Sequence, residues 1–336
     1  MPFAARSRGL PAWAFAFALS ACGICAAWAK RPPRQGNSSE QVGEVVATLA
    51  TGRVTIISGQ DGLIVAGVGN SFKPGSLPPL IVPLADGNVA VVLGADDWLE
   101  PPPAGRTLLR LDQQLPHLTR AMAGNAPSLN PVANITHLDQ MSLAVLEPLR
   151  AVARNLHTQL HLPQDLPLVE LVLVRQTEQE PLLVWDVSYW IRQTFWQENF
   201  WDTEVERPRS IQLYPAKQDR SGIVQVSYPP GDTSPGLVAW LSHPTGRFAQ
   251  AIQADPQLAQ AQQEIASGRT KKIKMVQLVP LVKTALETLT PSTAVKALAA
   301  VDEKSGFAWV IRPPVSRAPV KRPAGAPTLE PPPDLE

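Results

Sequence analysis

The predicted elements run as strands, helices, strands, helices and a closing strand. That order places the chain in the α+β class, because a parallel α/β sheet would need strict strand-helix alternation. Three observations set the order. Short β-rich runs come in pairs around Asp61-Gly62 and Asp86-Gly87, the spacing of hairpins. From Thr107 to Leu160 the apolar residues change to a helical period. Strand character then returns in closely spaced runs from Leu168 to Tyr228, after which the helical period resumes.

In chain order, Arg53 to Ser58 and Leu63 to Val68 form the first pair of strands, joined through Gln60-Asp61-Gly62. There an Asp-Gly step is expected to supply the positive φ of a tight turn. Leu80 to Leu84 and Val89 to Leu93 repeat the pattern around Asp86-Gly87-Asn88. Helices are predicted over Thr107 to Met122 and Leu138 to Leu160, separated by a loop at Gly124-Asn125-Ala126-Pro127. The second places Met141, Leu143, Leu146, Leu149, Val152 and Leu156 at helical spacing. Strands follow at Leu168 to Arg175, Leu182 to Arg192, Ser210 to Tyr214 and Gly222 to Tyr228, rich in β-branched and aromatic residues. Pro256 to Ala266 and Val279 to Leu289 are the clearest late helices, the second with Pro280 expected near its first turn, where a missing N–H is harmless. Gly306 to Ile311 is the closing strand.

The ends have a different character. Arg6 and Arg8 precede an uncharged apolar run, Leu10 to Ala29, that closes in the small-x-small sequence Ala27-Trp28-Ala29. Residues 1–29 therefore read as a secretory signal, with Lys30 opening the mature chain. The run is near the lower length of a spanning helix, roughly 17 to 25 residues, so a retained anchor is the competing reading. Pro11, Gly23 and the small-residue ending favour cleavage. A third route overlaps both: Leu19-Ser20-Ala21-Cys22 resembles the lipobox of lipoproteins, which would acylate Cys22 and tether the protein to a membrane. Residues 30–42 read as a disordered linker and 313–336 as a Pro-rich disordered tail, since neither has the apolar content to order itself. The folded domain is expected over 43–312.

Composition excludes several functions. Both cysteines, Cys22 and Cys25, fall within the signal, so the mature domain is expected to hold no disulfide, thiol nucleophile or Cys-based metal site. A formal net charge of +1 without a dominant basic patch gives no electrostatic footprint for nucleic acid. Arg269-Thr270-Lys271-Lys272-Ile273-Lys274 reads as a solvated turn between helices.

Three stretches resemble one family. Thr51-Gly52-Arg53-Val54-Thr55-Ile56, Asp61-Gly62-Leu63-Ile64-Val65-Ala66-Gly67 and Val89-Ala90-Val91-Val92-Leu93-Gly94-Ala95-Asp96 are similar to the opening strands of the N-terminal-nucleophile hydrolases, in their proteasome-like branch. The closing elements from Val282 to Ile311 are similar in style, and the likeness in element order spans Ala50 to Arg312. It implies an αββα fold, two antiparallel sheets between helix layers, with Thr51 at the nucleophile position. In that family the Thr must be the first residue, because its own α-amino group is the base. Here Thr48-Leu49-Ala50 precede Thr51, the family's aspartate falls on Val68, and its lysine falls near Pro79 or Leu80. None of these side chains supplies charge. The expectation is an exported non-catalytic scaffold, and its alternative is a self-processing hydrolase that begins at Thr51.

Other constellations are weaker. His157 and His161 stand one helical turn apart, without the glutamate of a zinc hydrolase between them, and no metal is expected. Gly67-Val68-Gly69-Asn70-Ser71-Phe72 begins like a dinucleotide loop but has Phe72 at the third glycine, and no cofactor is expected. One of Asp96 and Asp97 is expected to cap whatever follows the fourth strand. The unusual density is aromatic: Trp185, Tyr189, Trp190, Phe195, Trp196, Phe200 and Trp201 fall within one predicted strand and the segment after it. On a strand Trp185 and Tyr189 share a face and Trp190 takes the other. Phe195, Trp196, Phe200 and Trp201 are then candidates for contact with a partner protein, glycan or peptide in the cell envelope.

Overall fold

The computed structural model describes residues 46–69, 79–99, 107–125, 135–154, 166–176, 182–197, 200–216, 221–230, 236–290, 295–302 and 306–313. Their strands are β1 (Val46–Ala50), β2 (Gly52–Ser58), β3 (Gly62–Gly69), β4 (Leu80–Pro83), β5 (Val89–Leu99), β6 (Thr107–Arg110), β7 (Val169–Arg175), β8 (Leu183–Tyr189), β9 (Ile191–Gln197), β10 (Phe200–Val205), β11 (Arg209–Tyr214), β12 (Ile223–Tyr228), β13 (Lys296–Asp302) and β14 (Gly306–Ile311). Their helices are α1 (Leu111–Asn125), α2 (Ile135–Arg154), α3 (Leu237–Ser242), α4 (Gly246–Ala254), α5 (Pro256–Ala266) and α6 (Met275–Leu289). The chain is thus α+β, with helices and antiparallel sheets.

β5 organises the first sheet because its run Val-Ala-Val-Val-Leu is buried on both faces, the pattern of an interior strand. It pairs with β4 and then β1 along one side, and with β7 and then β6 along the other; β8 and β11 continue outward from β7. The second sheet runs β12-β2-β3-β13-β14, and β9 with β10 form a separate two-stranded ribbon. Strand parity sorts the side chains into layers. Leu171, Leu173, Val187 and Tyr189 pack with Leu115, Met141, Val145 and Leu149 of α1 and α2. Val172, Val174, Val91 and Leu93 meet Val54, Ile56, Leu63 and Val65 between the sheets. Ile57, Ile64 and Leu298 face Leu241, Phe248, Leu278 and Val282 of the later helices. Burying each such side chain is worth about 1.5–3 kcal/mol.

Several sequence expectations are corrected. Thr107 to Arg110 is strand β6 and not the start of a helix, because it pairs with residues 97–99 of β5, which runs on past Gly94. Asp96 and Asp97 therefore lie inside a strand and cap no helix. Gly124 and Asn125 belong to α1. The predicted strand from Leu182 to Arg192 is divided at Trp190 between β8 of the large sheet and β9 of the ribbon. α6 starts at Met275, so Pro280 is its sixth residue and lies beyond the first turn. β1, β10, α3, α4 and β13 were not predicted. Lys-Ala-Leu-Ala-Ala-Val-Asp of β13 has small residues of weak β preference and is a strand because β3 and β14 flank it on both sides.

The two Asp-Gly turns differ. Gly87 has the expected positive φ, +71°. Gly62 does not, and is glycine for another reason: a Cβ there would lie 2.4 Å from the carbonyl oxygen of Val301 on β13. Asp61 reaches away from its own turn, its Oδ1 accepting a hydrogen bond from the Met275 N–H at 2.7 Å. It satisfies one of the free donors at the start of α6. The N-terminus of α5 was legible locally, since Asp255 accepts from the N–H groups of Gln257 and Leu258, with Pro256 beside it. In the basic stretch, Thr270 is buried and its hydroxyl donates to the Ser221 carbonyl at 2.7 Å, while Lys271, Lys272 and Lys274 are exposed.

Candidate functional site

Thr51 sits where the chain passes from one sheet to the other. Ala50 before it pairs with Gly94 of β5 in the large sheet, and Gly52 after it pairs with Gly69 of β3 and Tyr228 of β12 in the second. Thr51 is buried, 6% exposed, and its Oγ1 has no hydrogen-bond partner among the described residues. Its nitrogen is in peptide linkage to a residue of paired strand β1. Val68 pairs with Arg53 on one side and Lys296 on the other, so two cations share its sheet row. Leu80 pairs with Val92 in the large sheet.

Gly94 and Tyr228 close this end of the inter-sheet core. Gly94 has φ +80°, and a Cβ on it would lie 2.5 Å from the Leu168 carbonyl oxygen and 3.2 Å from the Tyr228 ring. The Tyr228 hydroxyl donates to the Pro167 carbonyl at 2.8 Å, linking the edge of the second sheet to the chain entering β7. Burial, and then the nearby charge of Glu170, push the Tyr228 phenol up to about 12.

Beside them is an acid pair that sequence reasoning did not single out. Glu170 on β7 is buried, and Asp186 on β8 is half-buried and hydrogen-bonded to it. Glu170 pairs in register with Ser188, two residues beyond Asp186, so the two acids are diagonal neighbours on adjacent strands. By parity they share the face of Val172, Val174 and Val184, which is the inter-sheet face. Burial pushes Glu170 up to about 8, helped by the charge and hydrogen bond of Asp186, and burial pushes Asp186 up to about 6. One oxygen of each, Oε2 of Glu170 and Oδ1 of Asp186, has no partner among the described residues. The signal in the sequence is a single carboxylate inside Val-Glu-Leu-Val-Leu-Val and another inside Leu-Val-Trp-Asp-Val, each in a run that is otherwise apolar.

The aromatic segment is divided. Tyr189 is fully buried under α2, its hydroxyl donating to the Ser142 carbonyl at 3.0 Å, and Trp185 packs against the same core, as the shared face predicts. Trp190 donates from Nε1 to the Ser188 hydroxyl at 3.0 Å, and the Arg209 guanidinium lies 5.0 Å above its ring. The four remaining aromatics fall on the ribbon: Phe195 and Trp201 are register partners, Phe200 pairs with Gln197, and the register shift at this step makes Trp196 the extra residue. Side chains 193–203 lie outside the described residues, as do Cys22, His157 and His161. The base of the ribbon is anchored, with Ile191 and Val205 in the core beneath α2 and Arg150 Nε donating to the Val205 carbonyl at 3.2 Å. Among the described residues, no three His, Cys, Asp or Glu come together as a metal-binding group, and no helix is long and apolar enough to cross a membrane. In comparison with known proteins, the chain matches no protein-family model and no curated protein.

Proposed function

We propose that this chain is an exported, non-catalytic scaffold or binding protein of the cell envelope, built on the sandwich plan of the N-terminal-nucleophile hydrolases. The observation that carries the reading is the position of Thr51, buried within the chain between two paired strands. Catalysis of that family's kind needs the α-amino group of this residue to be free. Freeing it would cut the chain between β1 and β2. The charged residues that tune such an amine are replaced by Val68 and by Pro79 or Leu80. The layering of helices, sheet, sheet and helices around three core clusters is in keeping with the plan. One observation favours the self-processing alternative: the Thr51 hydroxyl, adjacent to the Ala50–Thr51 bond, is unengaged among the described residues.

Intact mass and N-terminal sequencing of the protein from its native envelope fraction separate the two. The scaffold reading expects a chain that begins upstream of β1, and the same N-terminus for Thr51→Val. It also expects Thr51→Val to be neutral or to stabilise by about 0.5–1 kcal/mol, since the change removes a buried hydroxyl that lacks a partner. A native chain that begins at Thr51 overturns the reading.

In this reading the partner surface is the β9–β10 ribbon, which pairs with neither large sheet. Replacing both Trp196 and Trp201 by Ala is expected to abolish in-envelope crosslinks placed on the ribbon while leaving the thermal midpoint within about 2 °C of the parent. Unchanged crosslinks would remove the ribbon from the proposal.

A further inference from the structure

Among the described residues, Glu170 is the one buried carboxylate, and Asp186 beside it shares the inter-sheet face. Among the described residues, the elements around this pair offer no cation to neutralise it. β5 presents Leu93 in register with Glu170, β7 presents Val172 in register with Asp186, and β2 presents Val54 and Ile56 from the opposite sheet. β12 contributes Tyr228, whose proton is given to the Pro167 carbonyl, and β11 contributes Tyr214 to the same core. Arg209 of β11 is in register with Ser188, but its guanidinium is bound to Glu206 at 3.0 Å and stacked on Trp190. By parity Arg53, Lys296 and Arg175 belong to the opposite faces of their strands. Two carboxylates in contact in a low-dielectric layer cannot both ionise without a large cost, so one proton stays between them.

We propose that Glu170 and Asp186 hold a single shared proton and that this proton keeps a second negative charge out of the layer between the two sheets, the packing being tight in acid and neutral solution and loosening in alkali when the proton leaves. The hydrogen bond inside the pair supports placing the proton on Glu170, because it raises Glu170 and lowers Asp186. The sign follows from linkage. Both acids have folded values above their ordinary ones, so the folded chain binds more protons than the unfolded chain over that interval. Stability therefore falls as pH rises from the ordinary carboxylate range, and the loss is complete above about 8. An exported protein meets the external pH directly, and such a pair would couple that pH to the opening of the β8–β12 side of the sandwich.

The test is urea unfolding of the full chain across pH, for the wild type and for Glu170→Gln. The wild-type unfolding constant is expected to rise on the order of a hundredfold between about pH 6 and about pH 9, and the variant profile to stay within about threefold. A wild-type profile that is flat over this range overturns the proposal, as does a variant profile equally steep. If Glu170→Gln does not fold, isotope-edited infrared spectroscopy of the wild type decides. A protonated carboxylic-acid band present at neutral pH and lost near pH 8 supports the shared proton, and its absence at neutral pH overturns it.

Discussion

Gly52→Ala is expected to destabilise the protein by about 4 kcal/mol, because backbone strain and a backbone clash act together at this position. Gly52 has φ +143°, a conformation that residues with a Cβ rarely adopt. An added Cβ would lie 2.2 Å from the Val68 carbonyl oxygen and 2.9 Å from the Gly69 Cα, and neither atom can move without disturbing the β2–β3 pairing. Gly87→Ala is the control. It also has positive φ, +71°, but nothing lies within 4 Å of the added carbon. Its expected cost is the conformational penalty alone, about 1 kcal/mol. Urea midpoints for the two variants measure the difference. Equal losses would show that the close approach at Gly52 relaxes, and that the passage of the chain between the sheets is not held as tightly as the geometry requires.

Tyr228→Ala is expected to cost about 3–5 kcal/mol, the range for removing a large aromatic side chain from a packed core. Tyr228→Phe keeps the ring and removes only the hydroxyl, which leaves the Pro167 carbonyl without its donor at an expected cost of about 1–3 kcal/mol. The ring fills the space that Gly94 leaves open, with the glycine's absent Cβ position 3.2 Å away. The Ala variant therefore opens a void beside the Glu170–Asp186 pair and between the sheets. Denaturation of the two variants apportions packing and hydrogen bonding. A Phe variant as stable as wild type would mean that water replaces the lost donor, and that this end of the core is wetter than its burial suggests.

The later helices illustrate how far local signals reach. α5 was predicted with its observed bounds, Pro256 to Ala266, because its start is set by Asp255 and Pro256 and its apolar period is complete within the segment. α6 was entered late, at Val279, because its first turn is capped from outside: Asp61, at the tip of β2 and β3, accepts from the Met275 N–H. No residue adjacent to Met275 advertises that contact. The same limit explains β6 and β13. Thr-Leu-Leu-Arg and Lys-Ala-Leu-Ala-Ala-Val-Asp are too short or too Ala-rich for their period to decide between helix and strand. Pairing with β5, and with β3 and β14, decided it.

The candidate site was legible to a similar degree. Thr51 could be placed before a hairpin, and the absence of charge at Val68 and Pro79 or Leu80 could be read directly, because both are properties of a few neighbouring residues. Arg53 and Lys296 on either side of Val68 could not be found that way, since Lys296 is brought there by the last strand pairing. Glu170 and Asp186 are each one charge in an apolar run, a signal that the sequence reading passed over. Their meeting depended on the β7–β8 register, in which a one-residue slip would have put them on opposite faces.

The sequence by itself determined the α+β class, most of the paired strands, and the apolar parity that sends alternate residues of β7 and β8 to different layers. These follow from period, turn residues and caps, which act over a few neighbouring residues. Only the tertiary structure decided that β5 runs through Gly94 to Leu99, that the chain changes sheets at Thr51, and that two carboxylates meet between the sheets. Those outcomes depend on contacts between residues far apart in the chain, and the free energy that selects among them comes from burying both sheet faces at once.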